Sequence, residues 1–525
     1  MTIEGYSLIG ANKGAGRGGS WQAKNPKTNE DLETTFHAED EAGLAEAVSL
    51  AETAFEVYGK TSGEERAQLL RTIADEIDVS EENIVARMMA ESALPEPRCR
   101  GEKGRTVGQL RMFADLVAEG SWVDARIDLA QPNREPIPKP DLRSMLRPRG
   151  PVAIFCASNF PLAFSVAGGD SASALAAGCP VIVRAHSAHP GVAELVGQAV
   201  QRAVAKCNLP SGVFSLVFDD GIALGTALVQ HPAISAVAFT GSRTGGRALM
   251  DLAAAREAPI PVFAEMSAIN PIFVYPEALS ERGQEIGAGL AGSVALGIGQ
   301  FCTCPGLAFI PSEGSDTFLA KLVEDLEKTA PGTMLHQGIA TNYQTGIAEM
   351  GNQDGVEQLV TVEAANGQGG AALFKTNLST FLANENLSKE VFGPSTLVVL
   401  CDNDEDFLAA AQTLEGQLTA SVHATDGEIS DATSLMEALS HKAGRLIVNG
   451  FPTGVEVCPS MIHGGPYPAT SDGGSSSVGT SAISRFSRAV SWQTMPEALL
   501  PAELQNENPL GIWRLVDGEL SKDPI

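Results

Sequence analysis

The chain has 525 residues, and its 64 acidic against 36 basic side chains give a formal charge of −28 at pH 7. Proteins hold a phosphate backbone largely through Lys and Arg displacing counterions, so so acidic a surface excludes nucleic acid as a partner. A composition of 44% hydrophobic and 19% charged residues is that of a folded globular protein, long enough for roughly two to four structural units.

The first segment, Met1–Gly19, lacks the apolar core of a signal peptide. The alanine-rich run Ala172–Val183 is broken by Gly178 and Pro180 and is too short to span a bilayer, so no membrane association is expected. The 8 cysteines form no framework pattern, which predicts free thiols and a cytoplasmic location.

Two amphipathic helices are predicted next. Glu41–Tyr58 carries Leu44, Val48, Ala51 and Phe55 at helical spacing, and Gly63–Ile77 carries Leu69, Leu70, Ile73 and Ile77. Residues 130–148 are proline-rich and polar and suit an extended arm. From Pro151 short apolar runs alternate with helical stretches: PVAIFCA, Pro161–Ala177, PVIVRA, Pro190–Cys207, GVFSLVF, Ile222–His231, AISAVAFT, Thr244–Ala255 and PVFAE. Strands separated by single helices predict a parallel, doubly wound sheet with its ligands beyond the strand C-termini. A second α/β lobe follows Met266. The Gly/Ser-rich stretch Thr470–Gly479 reads as a mobile loop before the apolar segment Ala482–Trp492.

Chemistry-bearing residues cluster at the ends of these runs. In GQFCTCPG, Gly299–Gly306, Cys302 sits on a glycine- and proline-flanked turn. A buried structural thiol fits the local pattern equally well, and no second ligand pair supports a zinc site with Cys304, so no metal is expected. Glu265 ends an apolar strand, where a lone carboxylate is costly unless it is paired, hydrated or used. Asn159 precedes Phe160 and Pro161 directly after a strand, where a helix N-cap is the simple alternative. FTGSRTGG, Phe239–Gly246, opens a helix whose first amides suit a phosphate, although it is not the GxGxxG fingerprint.

These segments, together with EVFGP at Glu390–Pro394 and NGFPTGV at Asn449–Val455, occur in an order and spacing that resemble the aldehyde dehydrogenase superfamily over nearly the whole chain. FPLAFSVAGGDSASALAAGCPV, PVFAEMSAINP and HGGPYPATSD resemble its branch of 2-oxoglutarate semialdehyde (2,5-dioxovalerate) dehydrogenases and a related NADP-dependent fatty aldehyde dehydrogenase. The resemblance implies an α/β aldehyde dehydrogenase fold: a Rossmann-like coenzyme domain (1–129 and 149–264), an α/β catalytic domain (265–470), and a bridging, oligomerisation element (130–148 and 471–525) that forms a homodimer or homotetramer.

It also implies roles. Cys302 attacks the aldehyde as a thiolate, Glu265 activates the water that hydrolyses the thioester, and the Asn159 amide with the Cys302 N–H stabilises the oxyanion. A base in that role is expected to titrate near neutrality, and a salt-bridged glutamate would serve poorly. Arg184, Ser187, Gly241, Ser242, Glu390 and Phe392 match cofactor-contacting positions. Ser187 stands where NAD-preferring relatives often carry glutamate, which favours NADP, while Ile222 and the neighbouring Asp219 and Asp220 keep NAD open. For a substrate carboxylate, Arg485 and His463 are candidates; for an aliphatic chain, Phe160, Phe301 and Phe451 are candidate walls. The rivals are a broad or long-chain aliphatic aldehyde dehydrogenase, an acyl-transferring relative that uses coenzyme A, and a catalytically silent dinucleotide-binding protein.

Overall fold

The computed structural model describes every residue except Met1 and Asp404. Five parallel strands form the first sheet in the spatial order Val262–Glu265, Ala236–Thr240, Val152–Phe155, Val181–Arg184 and Phe214–Val217. Leu8–Ile9 then pairs antiparallel with the last of them and leads to Asn12–Lys13. Both faces of the sheet are buried, so its strands are continuously apolar.

Helices α1 (Glu41–Tyr58), α2 (Gly63–Val79), α3 (Glu81–Ser92) and α4 (Glu96–Glu119) precede its five parallel strands in the chain. The predicted first helix forms with the expected bounds, and the second, opened by a Ser62–Glu65 capping box, runs on to Val79. Between and after the strands come α5 (Gly169–Ala177), α6 (Pro190–Lys206), α7 (Ala223–Gln230) and α8 (Arg243–Ala254). Val152, Ile154, Val181 and Val183 pack with α2, α4, α5 and α6, while Ala153, Ile182, Val217 and Val237 pack with α1, α7 and α8. That alternation is the two-residue period of a strand covered on both faces.

The predicted helical stretch Pro161–Ala177 is helical only from Gly169. The amides of Leu162 and Ala163 donate sideways to Glu102 Oε1 at 2.8 and 3.0 Å, and the carbonyl of Phe164 accepts from Ala157 N, so these groups are not available to a helix axis.

The second sheet has the order Glu357–Thr361, Ala372–Asn377, Ser395–Cys401, Leu307–Pro311, Ile272–Val274, Gln417–His423 and Ala443–Val448, parallel except at its first strand. Helix α9 (Pro276–Ala295) packs on it through Leu279, Ile286 and Leu290. A third sheet pairs Leu142–Pro148 with Ser487–Gln493 and continues through Arg126–Asp128, Arg514–Val516 and Glu519–Ser521.

The Gly/Ser-rich stretch 470–479 is not the free loop its composition suggests. Ser471 Oγ donates to Val262 O and accepts from Ala264 N, which fastens the stretch along the edge strand of the first sheet, and Ser476 and Ser477 are buried. Its serines act as hydrogen-bonding groups and not as flexible filler. Among the described residues no helix is long and apolar enough to cross a membrane.

Candidate active site

Of the five parallel strands, Val152–Phe155 comes first in the chain, and the order then departs from it in both directions, towards Val181–Arg184 on one side and Ala236–Thr240 on the other. Ligands of open α/β sheets collect at the C-terminal ends beside such a switch point. Asn159 lies just beyond one of these ends, Gly241 and Ser242 beyond another, and Glu265 is the last residue of a third.

The second sheet delivers the opposite wall. After α9 the chain passes through Gly297, Ile298 and Gly299, with φ of 58°, 58° and 63°. A β-branched residue such as Ile298 seldom adopts this left-handed conformation, so the turn stores strain. At position 299 a Cβ would lie 2.2 Å from the Gly393 carbonyl carbon, so only glycine fits this crossing. The turn presents Cys302, which is anchored from behind by Asn270. The Asn270 amide donates to the carbonyls of Cys302 and Cys304 at 2.9 and 3.0 Å, and its oxygen accepts from Thr419 Oγ1 at 3.0 Å. Asn159 Nδ2 donates to Gln300 O at 3.1 Å, which ties the two walls together.

Cys302, His463 and Glu265 form one connected group. Cys302 Sγ is 3.3 Å from His463 Nε2, which is 2.9 Å from Glu265 Oε1, and Ser477 Oγ donates to Glu265 Oε2 at 2.8 Å. Burial pushes the Cys302 thiol well up, and the neighbouring Glu265 carboxylate adds to this. Burial also pushes Glu265 up, but the His463 charge and the bonds from His463, Ser477 and Cys302 outweigh it and hold the carboxyl below its usual range. The expectation of a base titrating near neutrality is therefore corrected. Glu265 stays ionised at neutral pH because the neighbouring His463 charge and the bonds it accepts stabilise the carboxylate.

Other expectations change with these contacts. His463 is taken up between the nucleophile and the carboxylate and is not free to cradle a substrate. Arg485 is buried in an ion pair with Asp170 at 2.8 Å and also reaches Ser173 Oγ. Cys304 Sγ faces the carbonyls of Val294 and Gly393, and burial pushes its thiol up to about 12. Phe160 packs edge-on against Phe301 and Phe164, with ring centroids 5.5 and 5.3 Å apart. Phe451 sits elsewhere, against His423 and the α9 core, because Gly289 leaves room for its ring there.

The positions expected to hold a cofactor lie along the same edge. Ser242 caps α8 by accepting from Gly245 N, and Gly241 and Gly246 leave no room for a Cβ beside Phe239 and Met266. Thr240 Oγ1, one residue earlier, is buried without a hydrogen-bond partner among the described residues. Arg184 Nη2 donates to Gly221 O at 2.7 Å and Nε is 3.6 Å from Asp219, so the acidic turn orients this arginine. Ser187 and His186 line a cleft of about 440 Å³ with Trp21 and Lys24. Glu390 lines another of about 550 Å³ with Ser267 and Gln417. Burial pushes the Glu390 carboxyl up to about 7, with the Ser267 bond opposing this and the Glu265 charge adding to it. Phe392 lies next to Glu390, facing Phe301 and Cys304 across a narrow gap.

A model of the aldehyde dehydrogenase family matches residues 15–487. The chain belongs to that family. It is an oxidoreductase that acts on aldehydes. It is 49% identical over 523 residues to "Alpha-ketoglutaric semialdehyde dehydrogenase 2" of Azospirillum brasilense, covering 99% of this chain and 100% of the relative. It is 44% identical to the "Alpha-ketoglutaric semialdehyde dehydrogenase" of Acinetobacter baylyi, over 94% of this chain and 95% of that one. Among solved structures, aldehyde dehydrogenase 21 from Physcomitrella patens, in complex with the reaction product succinate, superposes with a TM-score of 0.79 at 19% identity, covering 95% of this chain and 100% of that one. An NADP-dependent glyceraldehyde-3-phosphate dehydrogenase from Bacillus halodurans, complexed with NADP, also gives 0.79 at 19% identity, over 94% and 100% of the two chains.

Four side chains in this dehydrogenase's site were not singled out from sequence. Asn270 and Ser477 stood in plain view within PVFAEMSAINP and the Gly/Ser stretch, yet only their partners give them meaning. Arg98 and Arg105 on α4 lie against the Phe160, Phe164 and Phe301 rings, with the Arg98 guanidinium 4.4 Å from the Phe160 centroid and that of Arg105 5.4 Å from the Phe164 centroid.

Proposed function

We propose that the protein oxidises 2-oxoglutarate semialdehyde (2,5-dioxopentanoate) to 2-oxoglutarate through a thioester on Cys302, with NADP favoured over NAD. The observation that carries the reading is the contact chain from Cys302 Sγ through His463 Nε2 to Glu265, set between two opposed sheet edges. Two relatives of 49% and 44% identity that bear the semialdehyde name support the substrate.

The Cys302 thiol must lose its proton, which passes to water, as sulfur adds to the aldehyde carbon, and the His463 Nε2–H lies 3.3 Å from the sulfur, where it stabilises the thiolate. Glu265 accepts from that N–H and keeps it in place, and its second oxygen is held by Ser477. The carbonyl oxygen gains negative charge and meets the Asn159 amide and the Cys302 N–H; losing one such donor costs on the order of a hundredfold in rate. The thioester is then attacked by a water whose proton passes to Glu265, and the acid leaves as sulfur recovers its proton.

A nicotinamide dinucleotide fits the residues present: an unpartnered Thr240 hydroxyl, a capped helix N-terminus with glycines on either side, and clefts at both ends of the strip. Gly241 and Ser242 would hold the pyrophosphate, Glu390 the nicotinamide ribose, Phe392 the ring, and Arg184 with Ser187 the adenosine end. When bound, the nicotinamide supplies the hydride acceptor. Arg184 and Lys24 near Ser187 support acceptance of a 2′-phosphate. Association into a homodimer or homotetramer is supported by the exposed Ile137, Leu499, Trp513 and Leu520 around the third sheet and its arm.

A second reading, oxidation of aliphatic alkanals, is favoured by the aromatic wall of Phe160, Phe164 and Phe301. Initial rates with 2,5-dioxopentanoate, succinic semialdehyde and pentanal, each with NADP and NAD, separate the two. A kcat/KM at least tenfold higher for the dioxo acid supports the first, and a preference for pentanal supports the second.

A further inference from the structure

Four arginines lie at or near the nucleophile, and three are committed elsewhere. Arg485 pairs with Asp170 at 2.8 Å. Arg445 gives its two terminal nitrogens to the carbonyls of Gly454 and Pro452. Arg98 pairs with Glu102 at 3.0 Å, and the same carboxylate holds the amides of Leu162 and Ala163. Arg105 is different: its Nε and Nη2 are buried and donate to nothing among the described residues, and no ion pair is made by it.

A buried guanidinium without an acceptor is costly, and the usual resolution is an anion that arrives with the ligand. Arg105 lies 5.7 Å from the Phe160 centroid and 5.4 Å from that of Phe164, whose own centroid is 6.1 Å from the His463 ring that touches Cys302. Its charge opposes the burial and the Glu265 carboxylate that push the Cys302 thiol up, which places it within electrostatic reach of the reacting sulfur.

The helix around it points the same way. At 100° per residue, Arg98, Gly101, Arg105 and Gly108 share one stripe of α4, spanning roughly a quarter turn. A Cβ at Gly101 or Gly108 would meet nothing within 4 Å, so packing does not require glycine at either position. An interior glycine destabilises a helix relative to alanine. The pair leaves the helix face on both sides of Arg105 clear.

We propose that Arg105 is the specificity residue that receives the distal carboxylate of a short semialdehyde acid whose aldehyde end lies at Cys302, a proposal that rests on the substrate reading above. The planar guanidinium offers a carboxylate two parallel donors, and the Phe160 and Phe164 rings hold its plane.

The test compares 2,5-dioxopentanoate with pentanal, which has the same number of carbons and no carboxylate, in the wild type, Arg105→Met and Arg105→Lys. The expected result is that Arg105→Met lowers the ratio of kcat/KM for the two substrates by about a hundredfold or more, through KM for the acid, and that Arg105→Lys recovers part of the ratio. Turnover of pentanal reports whether each variant is folded. If Arg105→Met does not fold, Arg105→Lys alone decides, with a ratio lowered about tenfold expected. A ratio left at the wild-type value in whichever variant folds overturns the role of Arg105. A wild type that prefers pentanal overturns the substrate reading itself, whatever the variants do.

Discussion

Replacing Asn270 with alanine tests how the nucleophile is held. The side chain is fully buried and makes three hydrogen bonds, two to the carbonyls flanking Thr303 and one from Thr419. Each buried polar group left without a partner costs about 1–3 kcal/mol, and partial relaxation brings the three together to about 3–6 kcal/mol. The backbone adds to this, since Asn270 has φ 52°, a conformation asparagine tolerates and alanine resists by about 1 kcal/mol. The carbonyls would also no longer fix the Cys302 turn, and a displacement of about 1 Å at a reacting atom costs roughly a hundredfold in rate. Thermal unfolding and the pre-steady-state burst of reduced dinucleotide would measure the two effects separately. Asn270→Asp should fail similarly, because it keeps the acceptor for Thr419 but sets a carboxylate against two carbonyls. An Asn270→Ala enzyme with unfolding within about one degree of wild type and a burst rate within about twofold would refute the reasoning.

Other expectations follow from charge. Glu265→Gln removes a carboxylate that helps hold the Cys302 thiol up, so the midpoint of iodoacetamide alkylation against pH should move lower; a midpoint that rises would make Glu265 the base that ionises the thiol. Asp170→Asn leaves buried Arg485 without its counter-charge and should destabilise by about 3–5 kcal/mol, read as a lower denaturation midpoint. His423 is buried, and burial, with Arg282 adding, depresses its pKa from 6.5 to about 4. The unfolded chain therefore takes up a proton that the folded one refuses as pH falls through that window, and stability should drop by up to about 3 kcal/mol between pH 6.5 and 4. The fall in unfolding temperature over that range should be smaller in His423→Leu, and an equal fall in both would remove His423 as a cause.

What the sequence disclosed and what it concealed divide along the range of the interactions. Helix Glu41–Tyr58 and the alternation of apolar runs after Pro151 are local signals, and they yielded the helix bounds and the parallel sheet. Glu265 and Asn159 drew attention because a polar residue at the end of a buried strand asks for a partner. The partners themselves were not legible: Glu265 meets His463 198 residues away and Ser477 212 away. The same blindness turned a fastened Gly/Ser segment into an expected mobile loop and offered Arg485 as a substrate ligand when Asp170 already holds it. Phe451 was grouped with Phe160 and Phe301 by residue type, yet Gly289 opens a space for it in another core. Arg105 carries no motif at all, and its interest lies in the acceptor it lacks.

The proposed reaction passes through a covalent acyl group on Cys302 that Glu265 helps to release. The most direct measurement is the mass of the Glu265→Gln enzyme after one turnover with 2,5-dioxopentanoate and NADP, followed by peptide mapping. An adduct of the 2-oxoglutaryl group on the peptide carrying Cys302, persisting longer than in the wild type, is the predicted result. Turnover with no adduct on that peptide, or an adduct on another residue, would contradict it.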